Sequence, residues 1–312
     1  MNVFLISPRG FCAGVKRAVG IVEGAIEKYK TNIFVKHEIV HNEYVVNYFT
    51  KKGVKFVKSI NEIPENSVVI FSAHGVSKDV EEQAKQKNLT IIDATCPLVK
   101  KVHRVAMKHE ESGKTIILIG HKGHPEVIGT IGRVDSKVFI VENENDVDNL
   151  DFYSDNLAYI TQTTLSVDQT INIIAKLKAK FPNIIAQDES DICYATQNRQ
   201  DALKKIIHSA DILLVLGSQK SSNSRRLQDL GTCAKIPSYL INSHEEIDPN
   251  WLKDKKNVAV TSGASSPEIL IQNLIKYLVD NYNASIKEVN GTMENIEFHI
   301  PKEVRIKESD LF

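Results

Sequence analysis

Asp93-Ala94-Thr95-Cys96-Pro97-Leu98-Val99-Lys100-Lys101 is a point where an extended segment gives way to a helix. Pro97 suits the first helical position, because its missing N–H would be unpaired there in any case, and this makes Cys96 the expected N-cap. The same kind of junction recurs at Arg9-Gly10-Phe11-Cys12-Ala13-Gly14-Val15 and at Asp191-Ile192-Cys193-Tyr194-Ala195. Cys12, Cys96 and Cys193 thus divide the chain into near-equal thirds. A polar anchor follows each cysteine after 28 or 29 residues, at His41, His124 and Ser222. A second anchor follows a second apolar run in each third: Ser72-Ala73-His74-Gly75, Thr161-Gln162-Thr163-Thr164 and Ser262-Gly263-Ala264-Ser265. Periods of this length exceed those of solenoids and predict a few repeated subdomains.

Secondary structure fits that division. Short runs rich in Val, Ile and Leu read as buried strands at 3–6, 33–35, 68–71, 116–119, 212–216 and 258–260. Longer stretches of helical period lie between them, at 15–29, 99–110, 167–180, 198–207 and 269–279. This alternation predicts an α/β fold of three pseudo-symmetric lobes with parallel sheets. The expected boundaries are 13–96 for the first lobe, 97–193 for the second and 194–281 for the third. The N-terminal strand, within residues 1–12, is left over by the repeat and is expected to complete the third lobe. Residues 282–312 read as an extended tail packed on the body. The anchors follow strands, and open α/β sheets place ligands at the carboxyl ends of their strands.

Composition narrows the function. The 312 residues include 39 basic and 39 acidic side chains, so no charge imbalance points to nucleic acid or a membrane surface. No apolar stretch approaches the length of a membrane span. Met1-Asn2-Val3-Phe4-Leu5-Ile6 lacks a basic leader and runs directly into a turn, as a first strand does. Four cysteines at long, irregular spacing point to reduced thiols in a cytoplasmic setting.

Three thiols that meet through the fold are one short of the set that holds an iron–sulfur cube, which leaves one iron open for catalysis. Helix starts favour the thiolate form that binds metal. Zinc is the competing metal. No short-spaced Cys or His pair is present, which leaves a Cys₃His site with His41, His74 or His124 as the zinc alternative. Cys233 has no counterpart in the repeat and is given no site role.

Of the ten histidines, His37, His103, His109, His208, His244 and His299 read as solvated or satisfied, and His121 stays open. His41, His74 and His124 follow strands, and Ser221-Ser222-Asn223 occupies the matching place in the last third. Together they suggest a polyanion held by hydrogen bonds and histidine charge, since helix starts present free N–H groups to such ligands. No Walker-type or Rossmann glycine motif is present. Glu126 is the one carboxylate adjacent to an anchor. The helix dipole would keep it ionised, whereas a negatively charged cluster and ligand would raise its pKa. Lys16, Arg17, Lys100, Lys101 and Arg199 read as solvated helix faces, with docking of an acidic reductase as the sharper option.

At these residues the chain resembles the 4-hydroxy-3-methylbut-2-enyl diphosphate reductase family over roughly residues 1 to 305. The resemblance rests on the three cysteine motifs, Ala73-His74-Gly75-Val76, Gly120-His121-Lys122-Gly123-His124-Pro125-Glu126, Thr161-Gln162-Thr163-Thr164-Leu165-Ser166, Ser221-Ser222-Asn223-Ser224 and Ser262-Gly263-Ala264-Ser265. It implies one [4Fe–4S] cluster per chain on Cys12, Cys96 and Cys193. It also implies that His41, His74, His124, Ser221, Ser222, Asn223 and Ser265 hold the diphosphate and neighbouring groups. Thr163 and Glu126 then serve the substrate hydroxyl and the proton path. The implied reaction is reductive dehydroxylation of the allylic diphosphate to isopentenyl and dimethylallyl diphosphate, with electrons from a donor such as ferredoxin or flavodoxin with its reductase. An open-iron hydratase or dehydratase, in which the same iron removes water without net reduction, is the rival enzyme, and an iron–sulfur redox sensor or electron carrier is the rival without catalysis.

Overall fold

Strand β1 (Asn2–Ser7) opens the chain and ends next to the first cysteine. In the computed structural model, residues 1–152, 154–186 and 191–305 are described. The first third then runs α1 (Ala13–Tyr29), β2 (Ile33–Lys36), α2 (Glu43–Lys51), β3 (Lys55–Val57), β4 (Val68–Phe71), α3 (Lys78–Gln86) and β5 (Thr90–Asp93). The second runs α4 (Pro97–Glu111), β6 (Thr115–Ile119), α5 (Pro125–Ile131), β7 (Val138–Val141), α6 (Glu144–Asp148), β8 (Leu157–Thr161) and α7 (Val167–Lys180). The last comprises α8 (Tyr194–Lys204), β9 (Ile212–Leu216), α9 (Ser222–Cys233), β10 (Ser238–Ile241), α10 (Pro249–Leu252), β11 (Asn257–Ser262), α11 (Glu268–Tyr282) and β12 (Ser285–Asn290).

The strands form three separate sheets, ordered β3-β2-β4-β5, β7-β6-β8 and β10-β9-β11-β1-β12. Every pairing between them is parallel. The order repeats from lobe to lobe: each lobe's first strand lies between its second and its third. The fourth place is filled three ways. β5 takes it in the first sheet, and an isolated parallel bridge from Ala158 to Ile185 approximates it in the second. In the third sheet β1, from the opposite end of the chain, pairs with β11 from Asn2↔Asn257 to Leu5↔Val260.

Strand residues alternate between two apolar layers, as expected of parallel strands covered on both faces. In the first lobe Ile33, Val35, Val68 and Ile70 pack under α1, while Phe34, Val69 and Phe71 join Val57, Ile60 and Ala84 on the other side. β9 does the same: Ile212, Leu214 and Leu216 face α11, while Leu213 and Val215 meet Leu203 of α8 and Leu227 of α9.

Residues 285–290, read from the sequence as part of a tail, are an edge strand beside β1 with the register Asn2↔Ser285 through Ser7↔Asn290. Beyond them the chain returns to the first lobe. A Cβ built on Gly24 would lie 1.8 Å from the Val304 carbonyl oxygen, so α1 accepts this segment only because Gly24 has no side chain. Residues 306–312 of the expected tail lie outside the described residues.

Candidate active site between the three lobes

Each cysteine sits at a junction between lobes. Cys12, Cys96 and Cys193 are the N-caps of α1, α4 and α8. The backbone around them repeats hydrogen bond for hydrogen bond. The N–H of Cys12 donates to the carbonyl of Ala264 at 3.1 Å, that of Cys96 to Ala73 at 3.0 Å and that of Cys193 to Thr163 at 2.9 Å. The three acceptors belong to the second anchors, so the strand ends carrying those anchors also set the height of the cysteines.

The three thiols line one cavity with His41, His74, His124, Glu126, Thr163, Ser221, Ser222, Asn223 and Ser265. Every site residue expected from the sequence therefore lies on a single surface. Among the described residues, no three His, Cys, Asp or Glu side chains close on one point as they would for a single metal ion. A Cβ added at Gly14 would stand 2.7 Å from the Cys96 sulfur and 3.8 Å from the Cys12 sulfur. The floor between these thiols is thus bare backbone, and the cysteines fit a group larger than one ion.

Burial pushes Cys96 and Cys193 up to about 12, assisted by the neighbouring thiols and opposed by backbone N–H groups of the helices they cap.

The histidines make a compact cluster. The His41 and His74 rings stack at 4.2 Å between centroids, and His124 stands edge-on to them at 5.5 and 5.7 Å. Burial lowers His74 far below its ordinary value and His124 to about 3, with His41 adding repulsion in both cases. His124 is the N-cap of α5, where its Nδ1 accepts from the N–H of Glu126 at 3.2 Å. The third lobe supplies hydroxyls. Ser221 caps α9, the Ser222 hydroxyl donates to the Thr164 carbonyl, and the Ser265 hydroxyl donates to the His41 carbonyl at 3.2 Å. The Asn223 side chain accepts from Ala264 N–H and donates to the Thr196 hydroxyl.

Glu126 is almost wholly buried. Its carboxyl accepts from Thr163 twice, from the backbone N–H at 2.7 Å and from the hydroxyl at 3.0 Å. Desolvation nonetheless raises it to about 7, against the lowering by Thr163 and with a small push from Asp191. A carboxyl near neutrality beside a hydroxyl can give up a proton at ordinary pH.

Some residues differ from their sequence reading. Arg17 and Arg199 are buried, not solvated. Arg17 donates to the carbonyls of His299, Thr95 and Asp93, and Arg199 to those of Ala195 and Gly10 and to Glu294 at 2.9 Å. They brace the segments bearing the cysteines. Lys100 pairs with Asp93 at 2.5 Å. His103 and His109 are buried as well, and the Nε2 of each has no hydrogen-bond partner among the described residues. His121 lies beside Arg226 and Glu142, away from the cavity lining. Cys233 is exposed at the end of α9.

Thr164, which belongs to an anchor but is given no role of its own, also lines the cavity, as does Thr196, which the anchors do not include. Glu126 is also not the only carboxylate at an anchor, because Glu38 bonds His41 Nδ1 at 2.9 Å. Its signal in the sequence is faint: a carboxylate three residues before an anchor histidine.

A family model described as LytB protein matches residues 3–279. The 4-hydroxy-3-methylbut-2-enyl diphosphate reductase of Ruthia magnifica subsp. Calyptogena magnifica is 51% identical, covering 98% of this chain and all of that protein. The solved E-1-hydroxy-2-methyl-but-2-enyl-4-diphosphate reductase from Plasmodium falciparum superposes with a TM-score of 0.94 at 43% identity, over 97% of this chain and 96% of that one. A second solved structure, described as (E)-4-hydroxy-3-methyl-but-2-enyl diphosphate reductase, the terminal enzyme of the non-mevalonate pathway, matches at a TM-score of 0.64 and 30% identity, over 90% of this chain and the whole of that one.

Proposed function

The chain belongs to the LytB family, and we propose that it reduces (E)-4-hydroxy-3-methylbut-2-enyl diphosphate to isopentenyl and dimethylallyl diphosphate in the cavity between its lobes. The balance is two electrons and two protons consumed per substrate, with the allylic C–O bond broken and water released. The observation that carries this reading is the convergence, on one cavity, of three thiols, a histidine–serine anion cradle and a buried carboxyl near neutrality.

Cys12, Cys96 and Cys193 are the proposed ligands of one [4Fe–4S] cluster, and the bare floor at Gly14 leaves room for it. When bound, such a cluster supplies a Lewis-acidic open iron and a path for electrons. A protein donor of the ferredoxin or flavodoxin kind, in a reducing cytoplasm, is the proposed source of those electrons. No helix among the described residues is long and apolar enough to cross a membrane.

The remaining work falls to the chain's own side chains. His41, His74, His124, Ser221, Ser222, Asn223 and Ser265 hold the diphosphate from lobes one, two and three, and so fix the far end of the substrate. Remote binding of this kind positions the reacting hydroxyl at no further entropic cost. Thr163 takes the substrate hydroxyl into its hydrogen bonding, and Glu126 behind it delivers the proton that lets the hydroxyl leave as water.

The test is product analysis. Anaerobically prepared protein, given the substrate and reduced viologen, is expected to yield both five-carbon diphosphates, whereas Cys96→Ser is expected to yield neither. Wild-type protein that returns the substrate unchanged would sink the reading.

A further inference from the structure

Glu38 is absent from the cavity lining, yet it touches two of the loops that form it. Its carboxylate bonds His41 Nδ1 at 2.9 Å and accepts from Lys220 Nζ at 2.6 Å. Lys220 immediately precedes Ser221, and it reaches Glu38 across 182 residues of sequence. One carboxylate therefore joins the His41 loop of the first lobe to the serine loop of the third. The Ser265 hydroxyl on the His41 carbonyl makes a second tie between the same two lobes. On the opposite edge of the ring, His41 Nε2 is buried and has no hydrogen-bond partner among the described residues.

We propose that Glu38 is a positioning residue for anion binding: it fixes the proton of His41 on Nδ1, turns Nε2 toward the ligand, and through Lys220 clasps the two loops that close on the diphosphate. The inference rests on the anion-cradle reading of the cavity. An ionised carboxylate only accepts hydrogen bonds, so the nitrogen facing it must carry the hydrogen. With the hydrogen on Nδ1, Nε2 offers its lone pair to a protonated diphosphate oxygen, so the ring joins the Glu38 carboxylate to the anion. Such charge-assisted bonds are roughly twice as strong as neutral ones.

The surroundings single out His41 for this role. The charged and titratable groups facing it are Glu38, His37, His74 and His124, with Lys220 beyond Glu38. Burial holds His74 far below its ordinary value, His124 to about 3 and His37 to about 4. Glu38 is drawn down to about 2, first by its bond to His41 and then, against burial, by Lys220. Among the three cavity histidines, the bond to a carboxylate belongs to His41.

Two measurements on anaerobically prepared full-length protein test this: calorimetric titration with inorganic diphosphate, and the ¹⁵N spectrum of labelled histidines with the His41 signal identified by its loss in His41→Asn. At about pH 8, above the ordinary histidine range, wild-type His41 is expected to carry its proton on Nδ1. Glu38→Ala is expected to move that proton to Nε2, to weaken diphosphate binding about tenfold or more, and to raise KM for the substrate more than it lowers kcat. Lys220→Met is expected to keep the Nδ1 proton and to weaken binding by about two- to fivefold. An unchanged Nδ1 signal and unchanged diphosphate affinity in Glu38→Ala would overturn the proposal. Should Glu38→Ala not fold, an unprotonated Nδ1 in wild type, or wild-type affinity in Lys220→Met, overturns it instead. Failure of wild type to bind diphosphate at all would strike the anion-cradle reading, and the Nδ1 signal reports that failure separately from loss of the Glu38 contact.

Discussion

Gly14 and Cys96 approach so closely that a methyl group on Gly14 would stand 2.7 Å from the cysteine sulfur. They come from different thirds of the chain, one in the first turn of α1 and the other capping α4. The absent side chain is therefore a feature of the space between the thiols and not of the helix, in which alanine would be the better residue.

Gly14→Ala should lower iron and sulfide content while leaving the fold intact, as checked by metal and sulfide analysis beside far-UV circular dichroism. Cys12→Ser, Cys96→Ser and Cys193→Ser should each abolish or cripple cluster loading, because a neutral hydroxyl is a poor substitute for a thiolate at iron. Cys233→Ser, altered at an exposed position, should load like wild type. Loss of the cluster in Cys233→Ser with retention in one of the other three would refute the ligand assignment.

Glu126→Gln should lower kcat by about 10²–10⁴-fold, the usual range for loss of a general acid, with a much smaller change in substrate affinity. Wild-type kcat should fall as pH rises past about 7, where the carboxyl loses its proton, and the variant's residual rate should not show that fall. Stability follows the same sign. A carboxyl raised from 4.5 to about 7 by folding contributes stability that is complete below its unfolded value and is lost as pH rises through its folded value. The melting temperature of wild type relative to Glu126→Gln should therefore drop between about pH 4.5 and 7 and level off above. Near wild-type turnover in the variant would reduce Glu126 to a helix-start carboxylate.

His124→Phe should separate binding from proton delivery. It removes an anion partner and also the acceptor for the Glu126 N–H at the start of α5. The expected result is a higher dissociation constant for inorganic diphosphate together with a stability loss of about 0.5–2 kcal/mol, the usual worth of an N-cap. Calorimetry and thermal melting measure the two. Wild-type diphosphate affinity in this variant would remove His124 from the cradle.

Arg199→Met should be among the more destabilising changes outside the cavity. The guanidinium is fully buried, and its loss leaves Glu294 without its cation, with the Asn198 amide still bonded to it, and the Gly10 carbonyl without the Arg199 donor. Removing one member of a buried pair costs about 3–5 kcal/mol. The double variant Arg199→Met with Glu294→Gln should recover part of that loss, because the stranded charge is gone. Equal melting temperatures for the single and double variants would contradict this account of the pair.

What the sequence displays and what it hides follow from burial. β4 and β9 read clearly because both faces of each are covered, giving unbroken apolar runs. β3 and β12 lie at sheet edges, carry exposed residues such as Lys55 and Lys287, and give no such run. α7 matches its expected limits because Ser166 caps it and its apolar period is regular. α8 starts four residues before its expected beginning, since its first turn shows little apolar period. Cys12, Cys96 and Cys193 stand out as positions because the repeat places them three times. Glu38 does not, because its meaning comes from Lys220 in another lobe. Arg17 and Arg199 look like solvent-facing residues of amphipathic helices until the C-terminal segment, with His299 and Glu294, folds back over them.

The central claim is a reduction and not a dehydration or a resting redox centre. The most direct measurement counts electrons: anaerobic protein, reduced viologen in excess and a known amount of (E)-4-hydroxy-3-methylbut-2-enyl diphosphate, with dye oxidation followed to completion. The account predicts two electrons consumed per substrate, matched by the sum of isopentenyl and dimethylallyl diphosphate formed. Substrate consumed without dye oxidation would make the chain a dehydratase, and dye oxidation independent of substrate would make it an electron carrier; either result contradicts the account.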